Sequence, residues 1–139
     1  MRKTGKLAYT AGIMDGEGSI YIRRTTKGHS SSSLAVFVTN TNEWICQWLK
    51  FQYGGSIQIM QPRKKNWKIA YRWWLTSNQA LGFLKLILPY LNLKRPQAEL
   101  AITFQERKQK RGYGSLTEMD KTLIEADRIL MQSFNRKGI

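Results

Sequence analysis

The fold of this chain is decided by a stretch near its start, Thr10-Ala11-Gly12-Ile13-Met14-Asp15-Gly16-Glu17-Gly18-Ser19-Ile20. The sequence predicts a short helix over residues 6–14, with Gly16 and Gly18 ending it. Asp15 and Glu17 then lie at the C-terminal end of a helix, where the helix dipole disfavours unpaired carboxylates. Two interpretations follow: both acids are solvated at a turn, or a cation lies beside them. Oxygen ligands of this kind suit Mg²⁺.

The rest of the chain alternates between pairs of strands and helices. Strands are predicted over residues 19–26, 34–40, 56–61 and 67–76, and helices over about 42–53, 78–88, 96–110 and 116–134. The order α-ββ-α-ββ-α-α-α predicts an α+β fold in one domain, residues 1–139. If the two hairpins share one antiparallel sheet, helices cover one face and the other face is free.

The last predicted strand assigns residues to these two faces, because side chains alternate along a strand. We expect the helix-covered face to hold Trp67, Ile69, Tyr71, Trp73 and Leu75. We expect the free face to carry Lys68, Ala70 and Arg72, together with Arg23 of the first hairpin.

The charge balance favours a polyanion as the partner. The chain has 139 residues, with 23 Lys+Arg against 9 Asp+Glu and a formal net charge of +14. Most of the basic excess lies between residues 18 and 98, among tryptophans and tyrosines. A merely solvated face is the alternative, but phosphate binding explains so uneven a segment better. We therefore expect nucleic acid as the partner.

Several other classes are excluded by composition. The 42% hydrophobic content argues against general disorder. No apolar run approaches the ~20 residues of a membrane span, so no membrane partner is expected. A single cysteine, Cys46, excludes an internal disulfide framework, and the single histidine, His29, excludes a Cys/His zinc site.

Residues 11–18 resemble the LAGLIDADG motif of homing endonucleases. The stretch Leu34-Ala35-Val36-Phe37-Val38-Thr39-Asn40 resembles the second strand of that family. The stretch Pro89-Tyr90-Leu91-Asn92-Leu93-Lys94, followed by Gln97-Ala98, resembles the segment that carries its active-site lysine. The motif occurs once, so the chain is most similar to the single-motif members, which act as homodimers. The resemblance implies an αββαββα core, here with extra C-terminal helices, whose four-stranded antiparallel sheet forms a DNA-binding saddle.

The resemblance also implies roles for individual residues. Glu17 matches the metal-binding acid, and Gly16 matches the neighbouring glycine whose carbonyl joins the ligands. Lys94 matches the catalytic lysine, while Asn40 and Gln97 match polar residues that order the attacking water. The implied cofactor is Mg²⁺, with Mn²⁺ as a substitute and Ca²⁺ supporting DNA binding without cleavage. Asp15 is expected to have a local structural role.

Two departures from the family pattern weaken the expected site. The motif acid is Glu17 where aspartate is commoner, so the carboxylate reaches one carbon further. Trp44 stands where a relative has an active-site arginine, so the pocket is expected to carry less positive charge.

A homodimer would bring together carboxylates from two directions around ions ~4 Å apart. The small residues Ala8, Ala11 and Gly12 would let two copies of the first helix approach closely about a two-fold axis. The alternative is that this stripe packs against the chain's own sheet.

The hairpins supply the candidate DNA contacts. A strand of ~10 residues spans ~33 Å, about ten base pairs, so a dimer would read ~20 base pairs in two roughly mirrored halves. The candidates are Tyr21, Arg23, Lys27, Ser32, Gln58, Gln61, Arg63, Lys64, Lys65, Asn66, Lys68 and Arg72.

These inferences predict a site-specific, metal-dependent DNA endonuclease that leaves short 3′ overhangs and is encoded in an intron. Two alternatives stay open: an intron-RNA maturase, and a DNA-binding protein of the same fold without catalysis. An intracellular location is expected. A chloroplast, a mitochondrion and a prokaryotic cytoplasm are not distinguished.

Overall fold

The structure is a computed structural model that describes residues 2–24, 32–112, 114 and 116–137. Of residue 137 it describes the backbone alone. Its elements are α1 (Lys3–Glu17), β1 (Gly18–Arg24), β2 (Ser32–Asn40), α2 (Glu43–Tyr53), β3 (Ser56–Met60), β4 (Ala70–Thr76), α3 (Ser77–Ile87), α4 (Arg95–Arg111) and α5 (Glu118–Lys137), with a 3₁₀ turn at Leu88–Tyr90. The order of helices and strands is the predicted one.

The four strands form one antiparallel sheet in the order β1-β2-β4-β3. The predicted α+β class and the four-stranded sheet are therefore confirmed. Because β2 and β4 are the central pair, the two hairpins meet in the middle of the sheet and are not separate units.

Alternation along the strands divides the sheet into two faces. The covered face is apolar and fully or almost fully buried: it carries Ile20, Ile22, Leu34, Val36, Val38, Trp73 and Leu75. These side chains pack against buried residues of α1, α2, α3 and α4 in one core cluster. The other face carries four of the candidate nucleic-acid contacts, Tyr21, Arg23, Gln58 and Arg72.

The prediction for the start of the last strand was wrong. β4 begins at Ala70 instead of Trp67, because its partner β3 pairs only as far as Met60 with Ala70. Residues ahead of Ala70 have no partner strand within the described part of the chain. Trp67 and Ile69 are consequently 51% and 43% exposed instead of covered, and Lys68 does not lie on the sheet.

The first helix is longer at both ends than the predicted helix over residues 6–14. α1 continues through Gly16 to Glu17 and is capped at Gly18. A side chain at Gly18 would place its Cβ 2.9 Å from the Cα of Met14. Glycine at this position thus lets the helix turn directly into β1 over a buried methionine.

The C-terminal helix α5 packs against β1 and α4. Met131 lies in the core cluster, and the Asn135 side-chain amide donates to the backbone carbonyl of Ile20 in the edge strand at 3.0 Å. An ion pair of 2.9 Å joins Arg24 to Glu125. None of the described helices has the length and apolar character needed to cross a membrane.

Candidate active site and nucleic-acid face

Glu17 and Asn40 meet where α1 turns into the sheet. The register pairs Gly18 with Val38, so the C-terminal end of α1 lies beside the C-terminal end of β2. The Asn40 amide Nδ2 donates a hydrogen bond to the Glu17 carboxylate Oε2. The Asn40 Oδ1 accepts from the backbone N–H of Asn42, which fixes the orientation of the amide. The structure thus brings together two of the predicted catalytic residues.

Asp15 organises the segment that carries Lys94. Its two carboxylate oxygens accept backbone hydrogen bonds from Asn92 at 2.9 Å and from Lys94 at 3.0 Å. The Lys94 ammonium in turn donates to the backbone carbonyl of Asp15 at 2.9 Å. The local structural role expected for Asp15 is visible in these contacts, and Glu17 is the motif acid left exposed.

Lys94 and Gln97 line one depression of about 430 Å³ at the edge of the sheet. Its other walls are Gly18, Ser19, Tyr21, Phe37 and Asn135. The depression therefore connects the lysine, which precedes α4, with side chains of the free sheet face. Sequence reasoning missed Asn135, because nothing in the chain before folding places the last helix next to β1.

A second depression, of about 260 Å³, lies at the centre of the free sheet face. It is lined by Tyr21, Arg23, Ala35, Phe37, Gln58, Arg72 and Trp74. Four of the predicted DNA contacts (Tyr21, Arg23, Gln58 and Arg72) lie here. Phe37 and Trp74 were missed, although strand alternation places them on the same face as Arg72.

The remaining predicted contacts lie elsewhere. Ser32 is 2% exposed and lies on the covered side of β2. Its backbone carbonyl accepts a hydrogen bond from the Lys108 ammonium at 2.8 Å. Burial lowers the pKa of Lys108, with a smaller contribution from Arg111. Lys27 lies outside the described residues. The exposed connection between β3 and β4 carries Gln61, Arg63, Lys64, Lys65, Asn66 and Lys68.

Solved structures of DNA-bound enzymes share this architecture. The homing endonuclease I-CvuI, in complex with its target in the presence of Ca, matches with a TM-score of 0.69 and 21% identity over 94% of this chain and 80% of that one. The archaeal intron-encoded homing endonuclease I-Vdi141I, complexed with DNA, matches with a TM-score of 0.62 and 12% identity. The match covers 96% of this chain and 99% of that one. The I-SmaMI LAGLIDADG homing endonuclease bound to cleaved DNA matches with a TM-score of 0.67 and 16% identity over 88% of this chain. The chain has the LAGLIDADG homing endonuclease fold.

This chain spans 42% of the matched I-SmaMI chain, but nearly all of the I-Vdi141I chain. No protein-family model and no curated protein matches the sequence.

In this LAGLIDADG fold, the predicted small-residue stripe of α1 is divided between two surfaces. Ala11 is fully buried in the chain's own core, as the alternative interpretation expected for the stripe. Ala8 and Gly12 are exposed, and a Cβ added at Gly12 would meet no atom within 4 Å. The outer side of α1 is therefore smooth and open.

Exposed aromatic side chains continue this surface onto α2. Tyr9 of α1 contacts Trp48 edge to face, with 5.2 Å between the ring centroids. Trp44 stacks on Trp48, with 6.2 Å between the ring centroids. Trp44 is 57% exposed and Phe51, one turn beyond Trp48, is 85% exposed. Apolar exposure of this size beside a smooth helix is typical of a protein interface.

The LAGLIDADG motif residues fit one half of a divalent-cation site. The Glu17 carboxylate is exposed, and the ion pairs found across the described residues include none to Glu17. Within the same part of the chain there is no cluster of three or more His, Cys, Asp or Glu side chains that could hold a metal. The Glu17 carboxylate and the Gly16 carbonyl are oxygen ligands of the kind that Mg²⁺ prefers, but two ligands are fewer than its octahedral coordination needs. A second copy of the chain would double the donor set.

Proposed function

We propose that this chain is a homodimeric, site-specific DNA endonuclease that hydrolyses phosphodiester bonds with a divalent cation. The observation that carries the proposal is the exposed Glu17 carboxylate, which has no ion-pair partner among the described residues and whose neighbour Gly18 lines the depression containing Lys94. The depression in turn adjoins the free face of a sheet in a chain of net charge +14. An exposed carboxylate beside a polyanion is electrostatically unfavourable unless a cation lies between them.

The chain's own residues would divide the chemistry among them. Glu17 and the Gly16 carbonyl, with the same groups of a second copy, would hold Mg²⁺, which supplies Lewis acidity to phosphate and water when bound. Asn40 holds the Glu17 carboxylate in place through its amide. The Lys94 ammonium provides positive charge for the developing negative charge on the phosphate. Gln97 supplies amide groups that orient water in the same depression.

The proposed dimer rests on the outer side of α1 and the aromatic residues beside it. Ala8 and Gly12 would allow two copies of α1 to approach closely, with Tyr9, Trp44 and Phe51 buried at the flanks. A two-fold axis along this contact presents the two sheets to one DNA duplex of ~20 base pairs. Each copy then contributes one acid, and the two cuts are staggered with short 3′ overhangs.

The test is a selection for cleaved ends. A large pool of duplexes is enriched for binding in Ca²⁺ and then incubated with Mg²⁺, and the new ends are sequenced on both strands. The proposal predicts ends that share one near-palindromic sequence and one fixed 3′ stagger. Enrichment without cutting would contradict it and indicate a DNA-binding protein without catalysis. Absence of enrichment, with tight binding to intron RNA, would indicate a maturase.

A further inference from the structure

The centre of the free sheet face is apolar, although its surroundings are basic. Phe37 of β2 and Trp74 of β4 are paired in register and lie on the same face. Ala35 lines the same depression, and Tyr21 contacts Phe37 edge to face at 5.4 Å. Such a patch does nothing for phosphate binding, so it needs a different explanation on a surface that otherwise suits a polyanion.

Arg72 is held in a fixed orientation at the border of this patch. Its Nε donates to the Thr39 hydroxyl at 3.0 Å, and the guanidinium carbon lies 4.3 Å from the centre of the Phe37 ring. Thr39 is the register partner of Arg72, and Gln58 lies opposite on the other side. With Nε occupied, the two terminal nitrogens, which have no hydrogen-bond partner among the described residues, remain to donate. A guanidinium oriented in this way suits two-point recognition of a pair of acceptors better than diffuse attraction to phosphate.

We infer that the centre of the sheet recognises a guanine next to a thymine in each half of the DNA target. Arg72 contacts the guanine, and Phe37 and Trp74 contact the methyl group of the thymine. The inference rests on the proposed DNA-binding function and specifies its sequence preference. Guanine is the base that offers two acceptors side by side in the major groove, and thymine is the base that offers a methyl group there. A polar base edge held against the apolar patch would lose its hydrogen bonds to water without replacement.

The spacing supports recognition of neighbouring base pairs. The 4.3 Å between the Arg72 guanidinium and the Phe37 ring is close to the ~3.4 Å rise of one base-pair step. One fixed cation and one apolar group therefore lie side by side on the scale of a dinucleotide. The contacts also favour a duplex over single-stranded bases, because Arg72 already covers one ring face of Phe37 on which a base would stack.

The experiment uses duplexes enriched by the full-length protein in Ca²⁺ from a random pool. In the enriched site, each thymine is replaced singly by deoxyuridine, which removes only the methyl group, and the dissociation constant is measured. We expect about a fourfold loss of affinity at one thymine in each half, the effect of one buried methyl group of about 0.8 kcal/mol. The adjacent guanine replaced by adenine should cost about five- to 150-fold, corresponding to about 1–3 kcal/mol.

Variants assign these effects to the residues. In Phe37→Ala the deoxyuridine effect should vanish, and in Arg72→Ala the guanine preference should vanish at the neighbouring position. Leu86→Ala, a truncation at a half-exposed leucine of α3 away from the sheet face, should retain both preferences. The deoxyuridine series on the unaltered protein tests the inference even if a variant folds poorly.

An enriched duplex with no methyl-sensitive thymine, or with a guanine preference that Arg72→Ala leaves unchanged, overturns this inference while the proposed endonuclease stands. Failure to enrich any duplex overturns both. Preference for single-stranded DNA or RNA over the duplex overturns the groove-reading inference in favour of base stacking.

Discussion

Asp15 and Lys94, 79 residues apart in the sequence, are joined by two hydrogen bonds, both of which Lys94 donates. The backbone N–H of Lys94 donates to the Asp15 carboxylate at 3.0 Å, and the Lys94 ammonium donates to the Asp15 carbonyl at 2.9 Å. The end of the motif helix therefore sets the position of the lysine as well as that of Glu17. The two acids of the motif have different tasks, one holding the lysine segment and the other facing solvent.

Asp15→Asn should lower both stability and cleavage. An amide has one acceptor oxygen where the carboxylate has two, so one of the backbone N–H groups of Asn92 and Lys94 faces an N–H₂ instead. We expect a loss of about 1–3 kcal/mol in the free energy of unfolding, measured by urea denaturation. DNA binding in Ca²⁺ should change less than the cleavage rate in Mg²⁺. Glu99→Gln, at an exposed carboxyl group of α4, is the control, and an equal loss there would contradict the assigned role.

Gly12→Leu should prevent dimerisation without unfolding the chain. Nothing lies within 4 Å of a Cβ at Gly12, so the single chain accommodates a larger side chain, whereas a closely packed partner helix does not. Gly82 of α3 is equally open and gives the matched variant Gly82→Leu. We expect a monomer for the first variant and a dimer for the second, measured by analytical ultracentrifugation, with both at least as stable as the wild-type chain because leucine favours a helix over glycine. Dimers from both variants would place the interface elsewhere.

Gly18→Ala should destabilise the junction between α1 and β1. The added Cβ would lie 2.9 Å from the Cα of Met14 and 2.5 Å from its sulfur, so the helix end must shift. We expect a loss of about 1–3 kcal/mol in the free energy of unfolding, typical of an overfilled core. The comparison is Gly16→Ala, where the new Cβ meets no atom within 4 Å and stability should stay level or rise. Equal stability of the two variants would contradict the packing argument.

The stabilisation that the Glu125 carboxylate of α5 provides should be lost in acid. Hydrogen bonds from Arg128, and then from Arg24, hold the pKa of Glu125 at about 2, below its ordinary 4.5. The unfolded chain therefore takes up the proton first as the pH falls. The stabilisation by this carboxylate is complete above pH 4.5 and is lost as the pH falls towards 2.

Urea denaturation at several pH values tests this dependence. The wild-type chain should lose more stability between pH 5 and pH 2.5 than Glu125→Gln does. Glu118→Gln, at a side chain that is 92% exposed, should follow the wild-type chain. Parallel pH profiles for the wild-type chain and Glu125→Gln would show that ionisation of this carboxylate does not stabilise the fold.

Much of the fold was predictable because local patterns determine it. Alternation in β4 correctly placed Trp73 and Leu75 on the covered face and Arg72 on the free face. The start of β4 was not predictable from its own sequence, because the length of the partner strand β3 decides where pairing begins. Trp67 and Ile69 continue the apolar alternation without a strand to pair with.

The candidate site was predictable to a smaller extent. The motif and the lysine segment led to Glu17, Asn40, Lys94 and Gln97, which lie around the end of α1 in the structure. Asn135 and the burial of Ser32 depend on where α5 and α4 pack, and such long-range contacts leave no periodic signal. The splitting of the α1 stripe likewise depends on which side of the helix meets the core.

The role of Glu17 in catalysis is tested by the single-turnover cleavage rate of the selected duplex by wild-type protein and by Glu17→Gln. Affinity is measured in parallel in Ca²⁺, and Glu118→Gln serves as the matched acid-to-amide control. We expect Glu17→Gln to bind the duplex but to cleave it in Mg²⁺ at least about 100-fold more slowly, a barrier increase of about 2.7 kcal/mol. Cleavage by Glu17→Gln at the wild-type rate would contradict the account, since the exposed acid of the motif would then have no part in the chemistry.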